Sequence, residues 1–357
     1  MLDFTNLLAL AKAAVKADKS APVAYSYEGT NYTYEQVQAT LAKELNELGG
    51  SHASYRENKN VIFALIEQVI NEVLPKKVEA IYAQLAETKQ FGQGEAPKFS
   101  IKSSASRTRA KTFVTRVGLE GRYEVFKLGG AQTLEIQSTA FGGAAQIGLE
   151  ELMDGRVDFN ELLSIVMEGL EDRIQEEVAA GLEAGVNQLP QVNVVSGEGF
   201  DAAEFDRLLK IADSYSASGK ATIYCDSMFA ATLVDTTNTN NLIPEAVKTE
   251  LWNKGYLSMY KGHNVVILPN SISTDAELNT TLALDPSKAY ILPNTGMKPI
   301  FIAFEGDTCV DEHKNRDWTR EVQIYKKVGV GVMFTSDICV YENTSLKVNL
   351  KGEDEDN

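Results

Sequence analysis

Hydrophobic positions change their spacing twice along this chain. The first ninety-odd residues repeat at the helical period. Asn6 to Ala17 is rich in Ala and Leu, and Thr33-Tyr34-Glu35-Gln36 is a capping-box pattern opening a helix that Gly49 and Gly50 close. From about Asn60 to Lys89, apolar residues recur at Ile62, Ile66, Val69, Val73, Val78, Ile81 and Leu85. Those spacings of three to five predict one drifting helical face, with a kink or a break at Pro75.

Between Pro97 and about Gly143 the period falls to two. Phe113, Thr115, Val117 and Leu119 alternate with Val114, Arg116, Gly118 and Glu120; Tyr123 and Val125 continue after a turn, and Leu134 and Ile136 make a shorter third strand. The long helical repeat then returns. Asp158 and Glu161 form a cap pair, and Leu162, Leu163, Val166, Leu170, Ile174, Val178 and Leu182 hold a stripe to Gly185, a rod of roughly 36–40 Å. Helices are predicted over Asp201–Asp213, Ser227–Val234 and Pro244–Asn253, with strands at Ala221–Cys225 and Asn264–Leu268. The last sixty residues read as strands: Lys288–Leu292, Ile300–Phe304, Glu321–Val328, Val330–Phe334 and Ile338–Tyr341. Gly329-Val330-Gly331 marks a bulge or close packing.

Charge sharpens this picture. The 357 residues carry 34 Lys+Arg against 50 Asp+Glu, a net −16, which argues against a surface that binds nucleic acid or anionic membrane wholesale. Residues 98–127 invert that sign. They hold eight basic side chains, Lys98, Lys102, Arg107, Arg109, Lys111, Arg116, Arg122 and Lys127, and two acidic ones, Glu120 and Glu124, so the ribbon is +6 and the remainder −22. A long, thinly hydrophobic ribbon makes no core of its own and needs a surface to lie on. A nucleic-acid patch is the other reading of those charges; one apolar face in so acidic a protein favours protein contact.

Candidate chemistry is sparse. His52, His263 and His313 lie far apart without metal-ligand spacing, and no glycine run has the strand-loop-helix context of a phosphate loop. Cys225, Cys309 and Cys339 form no CxxC pair, fit core packing, and suggest a reducing compartment. Glu171-Asp172 and Glu176-Glu177 read as the solvated or intersubunit face of the long helix. No catalytic, cofactor or metal residues stand out, so an enzyme is not expected. No stretch reaches the length of a spanning helix.

The order of parts resembles the tailed-phage major capsid protein family, the Hong Kong 97-type shell fold: an α+β architecture with a helical N-terminal arm, an extended β-hairpin loop, a long spine helix, an α/β axial domain and closing β-strands. The resemblance assigns 1–94 to the arm, 95–150 to the extended loop, 151–194 to the peripheral domain with its spine helix, and 195–299 to the axial domain. Residues 300–350 become the closing peripheral strands and 351–357 an acidic tail. Within the axial stretch, Tyr256 to Ile267 is similar to that family's step from a short apolar run through glycine into a central strand, and Arg320 to Tyr341 to its C-terminal strands.

What this implies is a self-assembling subunit. The eight basic ribbon residues would contact a neighbour, and the main partner would be the chain itself, in hexamers and pentamers of an icosahedral head. A portal and scaffolding or decoration proteins would join it. The head would enclose double-stranded DNA without reading its sequence, in a virion assembled in the bacterial cytoplasm, with no cofactor and no membrane. Residues 1–94 are expected to be a retained arm. An encapsulin-type nanocompartment shell is the alternative, and an α/β enzyme with an unrecognised site a more distant one.

Overall fold

The computed structural model describes residues 4–16, 25–27, 30–49, 51–101, 132–147, 159–216, 219–233, 245–274, 280–314 and 320–347. They fall into two compact units. The first comprises residues 1–97, 136–174 and 302–330; the second comprises 98–135, 175–301 and 331–357.

In the first unit, helices α1 (Phe4–Lys16), α2 (Tyr34–Gly49) and α3 (His52–Ile81) pack on one another. They bury Leu7, Leu10, Val37, Leu41 and Leu74 together with Ile62, Ile66, Val69, Val73 and Val78 of the predicted face, while Ile81 at its end is exposed. The capping box forms as expected: the Thr33 N–H donates to Gln36 Oε1 at 3.0 Å and the Gln36 N–H to Thr33 Oγ1 at 3.5 Å. Helix α3 runs through Pro75 without a break. An interior proline costs about 3 kcal/mol, and burial of Val73, Leu74 and Val78 around it offsets that cost.

Two further expectations need correction here. The helical pattern reaches Lys89 in sequence, but α3 ends at Ile81 and Ala86–Phe91 is strand β3. After two short strands, β1 (Tyr25–Tyr27) and β2 (Thr30–Tyr32), this is the edge of a four-stranded sheet ordered β3-β14-β15-β6, with β6 spanning Thr139–Ile147, β14 Ile300–Lys314 and β15 Arg320–Val332. Pairing with β14 overrides a composition that would suit a helix. The strand expected at Ile300–Phe304 also continues to Lys314: Gly306, at φ 65°, carries the chain through what looks like a turn. At Gly329, close packing is the outcome, since a Cβ there would sit 3.0 Å from the Gln137 carbonyl oxygen.

The second unit centres on a six-stranded sheet ordered β7-β16-β13-β8-β10-β9. Its strands are β7 (Val194–Gly197), β8 (Thr222–Cys225), β9 (Met259–Tyr260), β10 (His263–Ile267), β13 (Lys288–Leu292) and β16 (Cys339–Asn343). Strands β10 and β8 run parallel, and β13 is antiparallel to both β8 and β16. Beside it, β11 (Ile272–Thr274) pairs with β12 (Thr280–Leu282). Helix α4 (Phe159–Val186) precedes this sheet in sequence; α5 (Ala202–Tyr215), α6 (Ser227–Thr232) and α7 (Glu245–Lys254) lie between its strands. Phe205, Leu208, Leu209, Ile223, Phe229, Ile291 and Tyr341 form one buried cluster. The Tyr341 hydroxyl accepts from the Asp201 N–H at 2.7 Å, fixing the start of α5, whose N-terminal N–H groups at Ala203 and Glu204 are capped by the Asp201 carboxylate.

Candidate assembly surfaces

The basic ribbon has a well-formed root. Strands β4 (Lys98–Ile101) and β5 (Gln132–Glu135) pair antiparallel, with Lys98 opposite Glu135 and Ile101 opposite Gln132. The chain therefore leaves and returns side by side, with thirty residues, 102–131, between. Phe99 anchors the root: it is fully buried, its ring 5.1 Å from that of Phe301. Of the eight predicted contact residues only Lys98 is placed, exposed and 3.9 Å from the Glu135 carboxylate. Lys102, Arg107, Arg109, Lys111, Arg116, Arg122 and Lys127 lie outside the described residues, as does the alternation from Phe113 to Val125. Nor do they include the cap at Asp158.

Helix α4 offers the second surface. It buries Met167, Leu170, Ile174, Val178 and Leu182, and exposes Glu168, Asp172 and Glu177. Glu171 departs from the solvated acidic face expected of it. It is buried, and its carboxylate pairs with the Lys77 ammonium of α3 at 2.7 Å. Burial pushes the Glu171 carboxyl above the usual carboxylate range, against the lowering effect of Lys77. No periodicity distinguishes it from Asp172; a partner 94 positions away in sequence decides its side.

Between α4 and the sheet of the first unit lies an apolar groove of about 310 Å³. Phe141, Ile165, Val166, Leu170, Val322 and Ile324 line it, with Arg173 at its polar side. Gly142 and Gly143 keep its strand wall low, and Ile165 stands 59% exposed beside it. On the second unit, Trp252 of α7 is 90% exposed, and Met259 and Ile272 are also largely uncovered. Large apolar side chains left in water mark surfaces that meet other molecules more often than isolated residues of smaller size.

Of the remaining candidate chemistry, Cys225, Cys339 and His263 lie in the core. Cys225 and Cys339 are fully buried, and burial pushes both thiols up to about 12, far from the range of a nucleophile. Cys309 is half-buried in β14. His263 is buried with its Nδ1 3.0 Å from the Ala221 carbonyl and its Nε2 3.7 Å from Asp213, while His313 is exposed. Among the described residues, no helix is long and apolar enough to cross a membrane.

The model of one protein family, described as "SPbeta prophage-derived putative capsid protein YonB", matches residues 9–342. The chain belongs to that capsid-protein family. No curated protein matches it. Among solved structures it is similar to the protein of Microbacterium phage Oxtober96, at 11% identity over 73% of this chain and 90% of that one, with a TM-score of 0.47. It is also similar to a protein of the head of Helicobacter pylori bacteriophage KHP40, at 10% identity over 74% and 92% with a TM-score of 0.46. The SrpI encapsulin of Synechococcus elongatus PCC 7942 gives 12% identity over 77% and 89%, with a TM-score of 0.43. The assignment rests on the family match, which spans nearly the whole chain. The described residues form the α+β arrangement expected of a Hong Kong 97-type shell subunit: ribbon root, long helix, α/β unit and long closing strands.

Proposed function

We propose that this capsid protein is the major shell subunit of a tailed double-stranded DNA phage, assembling with copies of itself into an icosahedral head. The family match over residues 9–342 carries this reading. The paired root at β4 and β5 supports the ribbon's part in it, because it holds the two ends of residues 102–131 side by side. Laid over a neighbour drawn from the −22 remainder, the ribbon would orient subunits through long-range attraction more than it would add net affinity. Affinity would come from apolar area such as the α4 groove and the Trp252 face, in interfaces of roughly 2,000 Å² or more.

On this reading residues 95–150 are the extended loop, 151–194 carry the spine helix, 195–299 crowd the capsomer axes, and 300–350 close the peripheral sheet. The role is structural rather than enzymatic. An acidic inner wall would suit a container from which DNA must slide, and the portal and any scaffold would be separate proteins. Electron microscopy of the full chain expressed alone tests the proposal. Closed shells of phage-head size are expected. A stable monomer at high concentration would overturn it, and small shells enclosing a protein cargo would replace it with the encapsulin reading.

A further inference from the structure

An open sheet edge is a template for a further strand, and proteins guard such edges by keeping them short or charged. Among the described residues, three of the four edges of the two larger sheets follow that rule. Strands β7 and β9, which end the six-stranded sheet, have four and two residues. Strand β3, one end of the four-stranded sheet, carries the charged pair Glu87 and Lys89. Strand β6, the other end, is unguarded. It runs nine residues, about 30 Å, and has no charged side chain from Thr139 to Ile147. Among the described residues it pairs with β15 alone, and Gly142, Gly143 and Ala144 stand exposed.

The apolar groove beside α4 runs along this edge. Residues opposed across two strands share a face, so Gly143, opposite Ile324, and Phe141, opposite Lys326, lie on the side of the sheet that forms the groove floor. On the facing wall, Ile165, Val166, Gly169 and Leu170 recur at the spacing of one helical face. A Cβ on Gly143 would meet nothing within 4 Å, so the floor is open in the middle of the strand. A strand laid here finds backbone donors and acceptors along β6 and apolar space for its side chains on one face, the two requirements of strand addition.

We propose that the occupant is β6 of a second copy, paired antiparallel about a two-fold axis so that two four-stranded sheets join edge to edge. This rests on the self-assembly proposed above and names one edge through which two copies meet. An identical strand suits the site because neither edge brings a charge to repel the other. The basic ribbon, by contrast, gains no ion pair from β6. Full overlap of the nine residues sets Gly143, the middle one, on the axis opposite Gly143 of the copy. Phe141 of the copy then lies diagonal to Gly143, and its ring enters the groove over a residue that has no side chain.

Gly143→Cys in the full chain tests this. Antiparallel strands hold opposed Cα atoms about 4.5–5.5 Å apart, within disulfide reach. Under mild oxidation the variant is expected to form covalent dimers whose peptide map joins the two introduced thiols, while the native chain forms none. Gly143→Lys and Gly143→Glu each set like charges on the axis and should lose the contact, and mixing the two in equal amounts should restore it as a mixed pair, read by native mass spectrometry. Dimers cross-linked at this edge without shells would support the proposal and count against the shell reading. Shells that close while the introduced thiol stays open to maleimide would overturn the proposal and leave the shell reading standing. A thiol that is shielded yet not cross-linked would give the edge to another segment and equally overturn it, as would charge variants that associate just as the native chain does.

Discussion

Adjacent glycines on β6 show how much one atom matters in this sheet. A Cβ on Gly142 would collide with the Ile324 carbonyl oxygen and sit 2.8 Å from Tyr325 Cβ, whereas a Cβ on Gly143 meets nothing within 4 Å. Gly142→Ala should therefore cost about 1–3 kcal/mol in urea unfolding. Gly143→Ala should stay within about 0.5 kcal/mol of the native chain. Asp285 supplies a pH-dependent counterpart. Burial acts to raise its carboxyl, but hydrogen bonds from the Ser287 hydroxyl at 2.6 Å and N–H at 2.9 Å, with Lys288 at 3.2 Å, hold it below the usual carboxylate range. A carboxyl lowered in the folded state stabilises above its unfolded pKa, and the gain is lost as pH falls through the folded value. Asp285→Ala should accordingly destabilise near neutral pH, and the difference from the native chain should shrink through the acid range in pH-dependent unfolding.

Elements were legible wherever one local rule governed them. Thr33 with Gln36, the stripe from Leu170 to Leu182 and the apolar run Lys288–Leu292 each carry their own periodicity or cap, and each became the expected element. Strand β3 was hidden, because Ala86–Phe91 has no strong alternation and owes its conformation to a neighbour two hundred positions away. Glu305-Gly306-Asp307 imitates a turn, yet its glycine passes the strand through and leaves the Gly306 carbonyl facing Lys326. The hydrogen bond from the Lys326 side chain to Asn71 Oδ1 was equally hidden: nothing in sequence links residues 255 apart, and only the sheet and α3 together bring them into contact. The ribbon is the reverse case, plain in charge and alternation, while the structure places only its root. At this scale α4 is the decisive element. Leu170→Pro should cost about 3 kcal/mol or more and leave little folded subunit, read by the loss of a cooperative melting transition.

Across the whole molecule, charge and exposed apolar surface point the same way. A chain of net −16 keeps a +6 segment on a hairpin root, and it leaves an apolar groove beside α4 and a bare tryptophan on α7. On the function proposed above, these are surfaces that other copies would complete, with the ribbon steering each encounter. Changing Arg107, Arg109 and Lys111 together to Glu reverses the ribbon's charge without altering any of the buried apolar residues named above, so it is chosen to separate folding from assembly. Sedimentation velocity of the native chain beside this triple variant is the most direct measurement. The account predicts that the native chain sediments as large closed particles while the variant remains a folded, unassembled subunit. Native protein that stays monomeric at every concentration, or variant particles indistinguishable from native ones, would contradict it.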